Sequence, residues 1–221
     1  MELKWELPLR PDGVRIELSE GLEVMVRPIR QSDVELLRAA FRAMSRRSRY
    51  LRFFTMSTEL SENLARSLSS IDHELHWAWV VLDPGAPSDV GDVEGRAVAV
   101  ARMVRTAANP EVGEAAVAVI DDYHGRGCGR LLLELLVSTA TRSGVDRLRF
   151  EVLAENRPMR GVLSNLDAEL NAELSDHSIL VYDVAVRRAD DDETMGAVYE
   201  ILRWIAASEE GDRSYTEGDP R

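Results

Sequence analysis

The 221-residue sequence predicts an α/β domain: a mixed, mostly antiparallel central sheet with one parallel β-α-β unit and flanking helices. Two observations carry that expectation. Between Gly113 and Ala154 a β-rich run, a glycine turn, a leucine-rich helical run and a second β-rich run follow one another, and such a crossover joins parallel strands. Just upstream, Arg96–Arg105 and Gly113–Ile120 alternate apolar with small residues and meet across TAANPEV, which suits an antiparallel hairpin.

In chain order, Val24–Ile29 reads as a strand that ends in a turn at Arg30, Gln31 and Ser32. Ser32 and Glu35 have capping-box spacing, so a helix is expected to start near Asp33, with Leu36, Leu37, Ala40, Phe41 and Met44 on its apolar side. A further helix is expected over Glu59–Ser69, with Leu60, Leu64 and Leu68 sharing a face. HWAWVVLD (76–83) reads as a buried strand and 83–95 as a turn-rich loop. After the glycine turn, Arg130–Arg142 is expected to be helical, closed by Ser143-Gly144, and LRFEVLA (148–154) is the parallel partner strand. Met159–Glu169 reads as a helix, Ser178–Val186 as a late strand and Thr194–Ala207 as a terminal helix. A single domain over 1–207, with its core at 22–186, is expected to precede an acidic, disordered tail at 208–221.

Composition narrows the function classes. With 45% hydrophobic and 30% charged residues the chain is an ordinary globular one, and its formal charge of −12 works against binding the phosphates of duplex nucleic acid. One stretch departs from that average. In RAAFRAMSRRSRYLRFF (38–54) Arg38, Arg42, Arg46, Arg47, Arg49 and Arg52 alternate with aromatics. It reads as a helix pair with arginines on its outer rim and Phe41, Tyr50, Phe53 and Phe54 inward; a patch for nucleic acid or another anionic ligand is the alternative. No run is long enough for a membrane span and the start is unlike a secretory signal, so a cytoplasmic location is expected. Cys128 is the one cysteine, which leaves no intrachain disulfide, and His73, His76 and His177 lack metal-ligand spacing, so no metal is expected.

DDYHGRGCGRLLLELL (121–136) holds the most informative pattern. A strand that turns through Gly125, Gly127 and Gly129 into a helix gathers backbone N–H groups at a helix N-terminus, where a phosphate or pyrophosphate is favoured. Glycine keeps side chains out of the way and allows φ > 0. A merely tight connection gives the same pattern. The four-residue spacer and Lys-Ser/Thr of a nucleoside-triphosphate loop are missing, and a dinucleotide fold would place its glycines after the first strand.

The segment HGRGCG resembles the acyl-coenzyme A motif of the GNAT superfamily of N-acetyltransferases: Gln or Arg, two residues, Gly, one residue, then Gly or Ala. His124 stands where that family usually has Gln or Arg. VRPIRQSD is similar to the family's first strand and turn, and EVLAENRPM to its fifth strand and following Asn-containing turn. SRRSRYLRFF and IDHELHWAWVVLD look most like bacterial protein lysine acetyltransferases that modify acyl-coenzyme A synthetases, here as a catalytic domain only. The resemblance spans roughly residues 22–170.

It implies acetyl-coenzyme A as co-substrate, bound by His124, Gly125, Arg126, Gly127, Cys128, Gly129 and Arg130, by the strand backbone at Val117, Ala118 and Val119, and by Asn156. Asn156 reads equally well as a cap before Pro158. An amine must lose a proton before it attacks, and Glu114, at the spacing of the lysine acetyltransferases' general base, is the candidate acceptor; on pattern alone it is an exposed strand-end glutamate. Strand alternation puts Glu114 on a face with Ala116 and Ala118. The tyrosine that protonates the leaving thiolate in many relatives is replaced by Leu163, and the usual Gly-Phe after that helix by Asp167-Ala168. Cys128 could in principle carry an acyl group, although a small buried turn residue is the ordinary reading. The leading expectation is therefore an acetyl-coenzyme A-dependent N-acetyltransferase acting on a protein lysine, such as one of an acyl-coenzyme A synthetase. A small-molecule amine acetyltransferase, a non-catalytic acyl-coenzyme A sensor and an RNA-contacting module are the alternatives.

Overall fold

The computed structural model describes residues 4–6, 13–88, 90–91, 95–106 and 109–186. The expected terminal helix at 194–207 and tail at 208–221 lie outside them. Strands β1 (Lys4–Glu6), β2 (Val14–Glu17), β3 (Glu23–Pro28), β4 (His76–Asp83), β5 (Arg96–Thr106), β6 (Asn109–Val119), β7 (Arg147–Leu153), β8 (Glu169–Leu170) and β9 (Ile179–Ala185) form one sheet. Their order is β1-β2-β3-β4-β5-β6-β7-β9-β8. The helices are α1 (Val34–Ala43), α2 (Arg46–Phe53) and α3 (Glu62–Ser69) between β3 and β4, α4 (Cys128–Arg142) between β6 and β7, and α5 (Arg157–Ser164) after β7.

Among the described residues every pairing is antiparallel except β6 with β7, whose parallel register covers only Val112–Glu114 against Arg147–Arg149. The expected hairpin is β5–β6, paired from Ala99↔Val119 to Arg105↔Gly113 before its register shifts. Strand alternation then divides the core in two. On one face Trp77, Trp79, Met103, Leu148 and Phe150 pack with Leu131, Leu132, Leu135 and Leu136 of α4. Trp79 Nε1 also donates to Thr139 Oγ1 at 3.2 Å, which satisfies a polar atom that burial would otherwise orphan. On the other face Ala78, Val80 and Leu82 pack with Leu36, Leu37 and Phe41 of α1 and Ala65 of α3.

Several boundaries differ from the sequence expectation. The expected capping box of Ser32 and Glu35 does not form. Asp33 is the N-cap; its carboxylate accepts the Arg30 N–H at 2.8 Å and a two-pronged bond from the Arg27 guanidinium at 2.7 and 2.9 Å. Asp33 and Arg27 are both buried, and a buried charge requires such partners. Helix α3 starts three residues later than expected because Ser61 caps it; its Leu64 is 46% exposed, and Ala65 takes the core position. Phe54 does not pack inward: it ends α2 at φ 54° and is 44% exposed. The helix expected over Met159–Glu169 stops at Ser164, where turns onto the Leu163 carbonyl lead through Asp167 at φ 52° into the short strand β8. Strands β1 and β2 were not expected at all, although Val14 and Ile16 are buried on alternate positions of β2.

Asp33→Ala leaves the Arg27 charge buried without its partner. It is expected to lower unfolding free energy by about 3–5 kcal/mol in urea titration, and a loss below about 1 kcal/mol would contradict this role.

Candidate active site

The site exists because two strands part. After Glu114↔Arg149 the parallel pairing ends, and Ala115–Val119 of β6 and Phe150–Val152 of β7 line opposite walls of a cleft of about 750 Å³. This is within the range of small-molecule sites. Along this stretch β6 stays paired with β5 through Val119, so the strand edge facing the cleft is the one β7 has left. That edge offers unpaired backbone groups on which an extended amide-containing arm can lie as an added strand.

One end of the cleft is closed by the glycine turn. Gly125 and Gly127 have φ of +76° and +96°, a region that disfavours residues with a side chain. A Cβ on Gly125 would meet nothing within 4 Å, since that position opens to the cleft. Gly127 is the N-cap of α4, and the first intrahelical bond onto the turn, Leu131 N–H to the Gly127 carbonyl, is 3.0 Å. The N–H groups before it have no helical acceptor and are available to an anion. Gly129 lies inside the first turn of α4 and lines the cleft with His124 and Arg130. The His124 Nε2 stands 3.0 Å from the Val119 carbonyl, so that nitrogen carries the proton, and the ring occupies one of the strand acceptors assigned to the incoming arm.

The turn is fixed from outside. The Asp121 carboxylate accepts the Ser45 N–H and hydroxyl, both at 2.7 Å, and the Ser48 hydroxyl at 2.8 Å, tying the start of α2 to the end of β6. Burial alone would raise the Asp121 pKa; these bonds outweigh it and hold it below the usual carboxylate value. Helix α2 thereby lines the cleft through Ser48, Leu51 and Arg52, so part of the arginine run that the sequence offers as a patch for an anionic ligand borders the site.

The residues assigned from sequence divide into three groups. Val117, Ala118, Val119, His124, Gly125, Gly127, Gly129, Arg130 and Asn156 all line the cleft. Asn156 is also the cap of α5, its side-chain oxygen accepting from Met159 N–H at 3.2 Å, so its capping reading holds. Two side chains point elsewhere. Cys128 is fully buried, and burial pushes its thiol up to about 11, which removes the nucleophile that the covalent alternative requires. The Arg126 guanidinium lies over the Tyr123 ring at 5.0 Å. Glu114 stands at the last paired position before the strands part, exposed, and outside the cleft lining. Beside it Arg149 is engaged by Asp183 at 2.8 and 3.0 Å, and among the described residues the Glu114 carboxylate makes no ion pair. Leu163 is fully buried, whereas Met159, Val162 and Asn165 of the same segment face the cleft.

A family model described as "Acetyltransferase (GNAT) domain" matches residues 23–169. The chain belongs to the GNAT acetyltransferase family. It is 30% identical over 155 residues to acetyltransferase Pat of Mycolicibacterium smegmatis, a match covering 70% of this chain and 44% of Pat. It thus spans less than half of that relative. To acetyltransferase PA5475 of Pseudomonas aeruginosa it is 33% identical over 147 residues, covering 65% of this chain and 73% of the other. Among solved structures, the GNAT domain of S. lividans PAT superposes with a TM-score of 0.66 at 26% identity, covering 80% of this chain and 99% of that one. Family and relatives make this a GNAT acetyltransferase domain, and acetyl-coenzyme A is the donor that this family uses. The glycine turn fits the donor's pyrophosphate, and the free edge of β6 fits its pantetheine arm. Among the described residues no group of three or more His, Cys, Asp or Glu is placed to hold a metal, and no helix is long and apolar enough to cross a membrane.

Two outcomes follow. Gly125→Glu puts bulk and negative charge into the open end of the cleft and should weaken coenzyme A binding by at least about tenfold in calorimetry, while Gly144→Glu, equally strained at φ +71° but at the far end of α4, should not. Iodoacetamide at pH 7 should leave Cys128 unmodified in the native protein and modify it in urea; rapid native labelling would contradict the buried, protonated thiol.

Proposed function

We propose that the protein transfers the acetyl group of acetyl-coenzyme A to a protein lysine by direct attack in a ternary complex, with Glu114 as the general base. The observation that carries this reading is the position of Glu114 where β6 and β7 part, on the same face as Ala116 and Ala118. Those two small side chains leave room beside the strand for an incoming amine and line both the main cleft and a smaller cavity behind it. The resemblance of residues 45–54 and 71–83 to bacterial protein lysine acetyltransferases supports the class of acceptor.

The chemistry follows from the residues. A lysine ammonium with a pKa near 10.4 is no nucleophile at neutral pH, so a carboxylate beside the acceptor path must remove its proton. The β6 backbone at Val117–Val119 positions the thioester, and its N–H groups can stabilise the developing oxyanion. The departing thiolate has no tyrosine on α5 to protonate it, since Leu163 is buried. A thiol of pKa about 8.5 leaves without one at a moderate cost in rate. The same site accommodates other acyl-coenzyme A donors and other amines; a lysate incubated with labelled acetyl-coenzyme A separates the acceptors by whether label enters protein lysines or free amines.

Glu114→Gln is expected to reduce kcat by about 10²–10⁴ while leaving the dissociation constant of coenzyme A within about twofold. An unchanged rate would remove Glu114 as the base. Coenzyme binding without transfer to either acceptor pool, in the unmutated protein, would overturn the enzymatic reading.

A further inference from the structure

On the acceptor side of the sheet two half-buried arginines stand together without a carboxylate beside them among the described residues. Arg52 of α2 and Arg102 of β5 both line a cavity of about 50 Å³ whose walls include Phe41, Phe53, Ala116 and Ala118. Arg52, Ala116 and Ala118 line the main cleft as well, so the cavity opens where the acetyl group is presented. Its volume holds a few water-sized groups, enough for a carboxylate.

The two cations are satisfied only in part. Arg102 donates to the Leu68 carbonyl at 3.1 Å and meets His76 Nε2 at 3.1 Å. Burial pushes His76 down to about 4, so the ring is neutral at pH 7 and accepts this bond, contributing no negative charge. Arg52 lies over the Phe53 ring at 4.9 Å, and its Nε is shielded from solvent without a hydrogen-bond partner among the described residues. Burial lowers both guanidinium groups to about 10, and the charge of Arg52 further lowers that of Arg102. Both therefore remain cations at neutral pH while repelling each other in a poorly solvated place. An arrangement of this kind is costly unless an anion completes it. Arg52 sits one helical turn beyond Ser48 and shares the small cavity with Ala116 and Ala118 of β6, a cavity that the glycine turn does not line.

We infer that Arg52 and Arg102 form a binding site for a carboxylate carried by the acceptor, so that the enzyme selects amines with an acidic group held a short distance from the reacting nitrogen. This rests on the acetyltransferase reading above, with the acceptor entering past Ala116 and Ala118. The shared chemistry is the carboxylate; its source is either an acidic side chain near a target lysine or the carboxylate of a free amino acid. A guanidinium presents a planar fork that matches a carboxylate and discriminates against its amide isostere.

The test compares matched acceptors in the acetyl transfer assay: lysine peptides with Glu or Gln beside the lysine, and free lysine against lysinamide. The unmutated protein should prefer the acid in at least one pair by about tenfold or more, and the pair identifies the source. Arg52→Met removes a half-buried charge that has no ion-pair partner among the described residues, at similar length, so the fold is retained, and should bring that ratio close to one. Equal rates for acid and amide in both pairs, or a ratio that survives Arg52→Met, would overturn the proposal. Thermal melting with acetate or acetamide gives a reading independent of turnover: acetate should raise the melting temperature of the unmutated protein, acetamide should not, and Arg52→Met should abolish the acetate shift. Absence of transfer alongside a retained acetate shift would sink the acetyltransferase reading alone; absence of the shift alongside active, non-selective transfer would sink the carboxylate site alone.

Discussion

The parting of β6 from β7 after a three-residue parallel register is the constraint on which everything else in this protein depends. A sheet that stayed paired would bury its backbone groups in the ladder and leave no slot through the middle of the domain. Separation costs those inter-strand bonds, and the protein accepts the loss only because both strands are held from their outer edges. β5 fixes β6 through Val119, and β9 fixes β7 along Arg147–Leu153. Arg149, bonded to Asp183 of β9, anchors the point at which the strands diverge. The result is an opening between two strand edges freed from pairing with each other.

Two devices aim this opening. Asp121 joins the end of β6 to the start of α2 through three hydrogen bonds, so the glycine turn and the helix that roofs the cleft move as one unit. The leucine-rich face of α4, packed against Trp79 and Phe150, sets the direction in which the helix N-terminus points. On the reading proposed above, donor binding draws mostly on backbone groups held by a packed core, and acceptor recognition on side chains from α2, β5 and β6. Changes in acceptor can evolve on the second set without disturbing the first.

How much of this the sequence disclosed varies with how local the signal is. The glycine turn, the hairpin before it and the helix after it are written in contiguous residues, and each formed there, although β6 starts earlier, at Asn109, and α4 at Cys128. Asn156 was legible for the same reason, since capping and its place after β7 are both local. Arg52 and Arg102 could not be paired from sequence, being fifty positions apart, and the arginine run 38–52 gave no sign of which members turn inward, as Arg49 and Arg52 do over Phe41 and Phe53, and which face water. Asp33 outcompeted the expected Ser32 cap because Arg27, buried on β3, needs its charge, which is a tertiary demand. The overlong helix after Asn156 reflects periodicity continuing past a stop that only β8 pairing with β9 explains.

Hydrogen–deuterium exchange with and without acetyl-coenzyme A tests the central claim most directly. The parted-strand account predicts slower exchange on binding in two segments, 115–119 of β6 and 125–131 at the start of α4, with β2 and β3 unchanged. Protection confined to other segments, or its absence at both of these despite saturating coenzyme, would contradict the assignment of this cleft as the donor site.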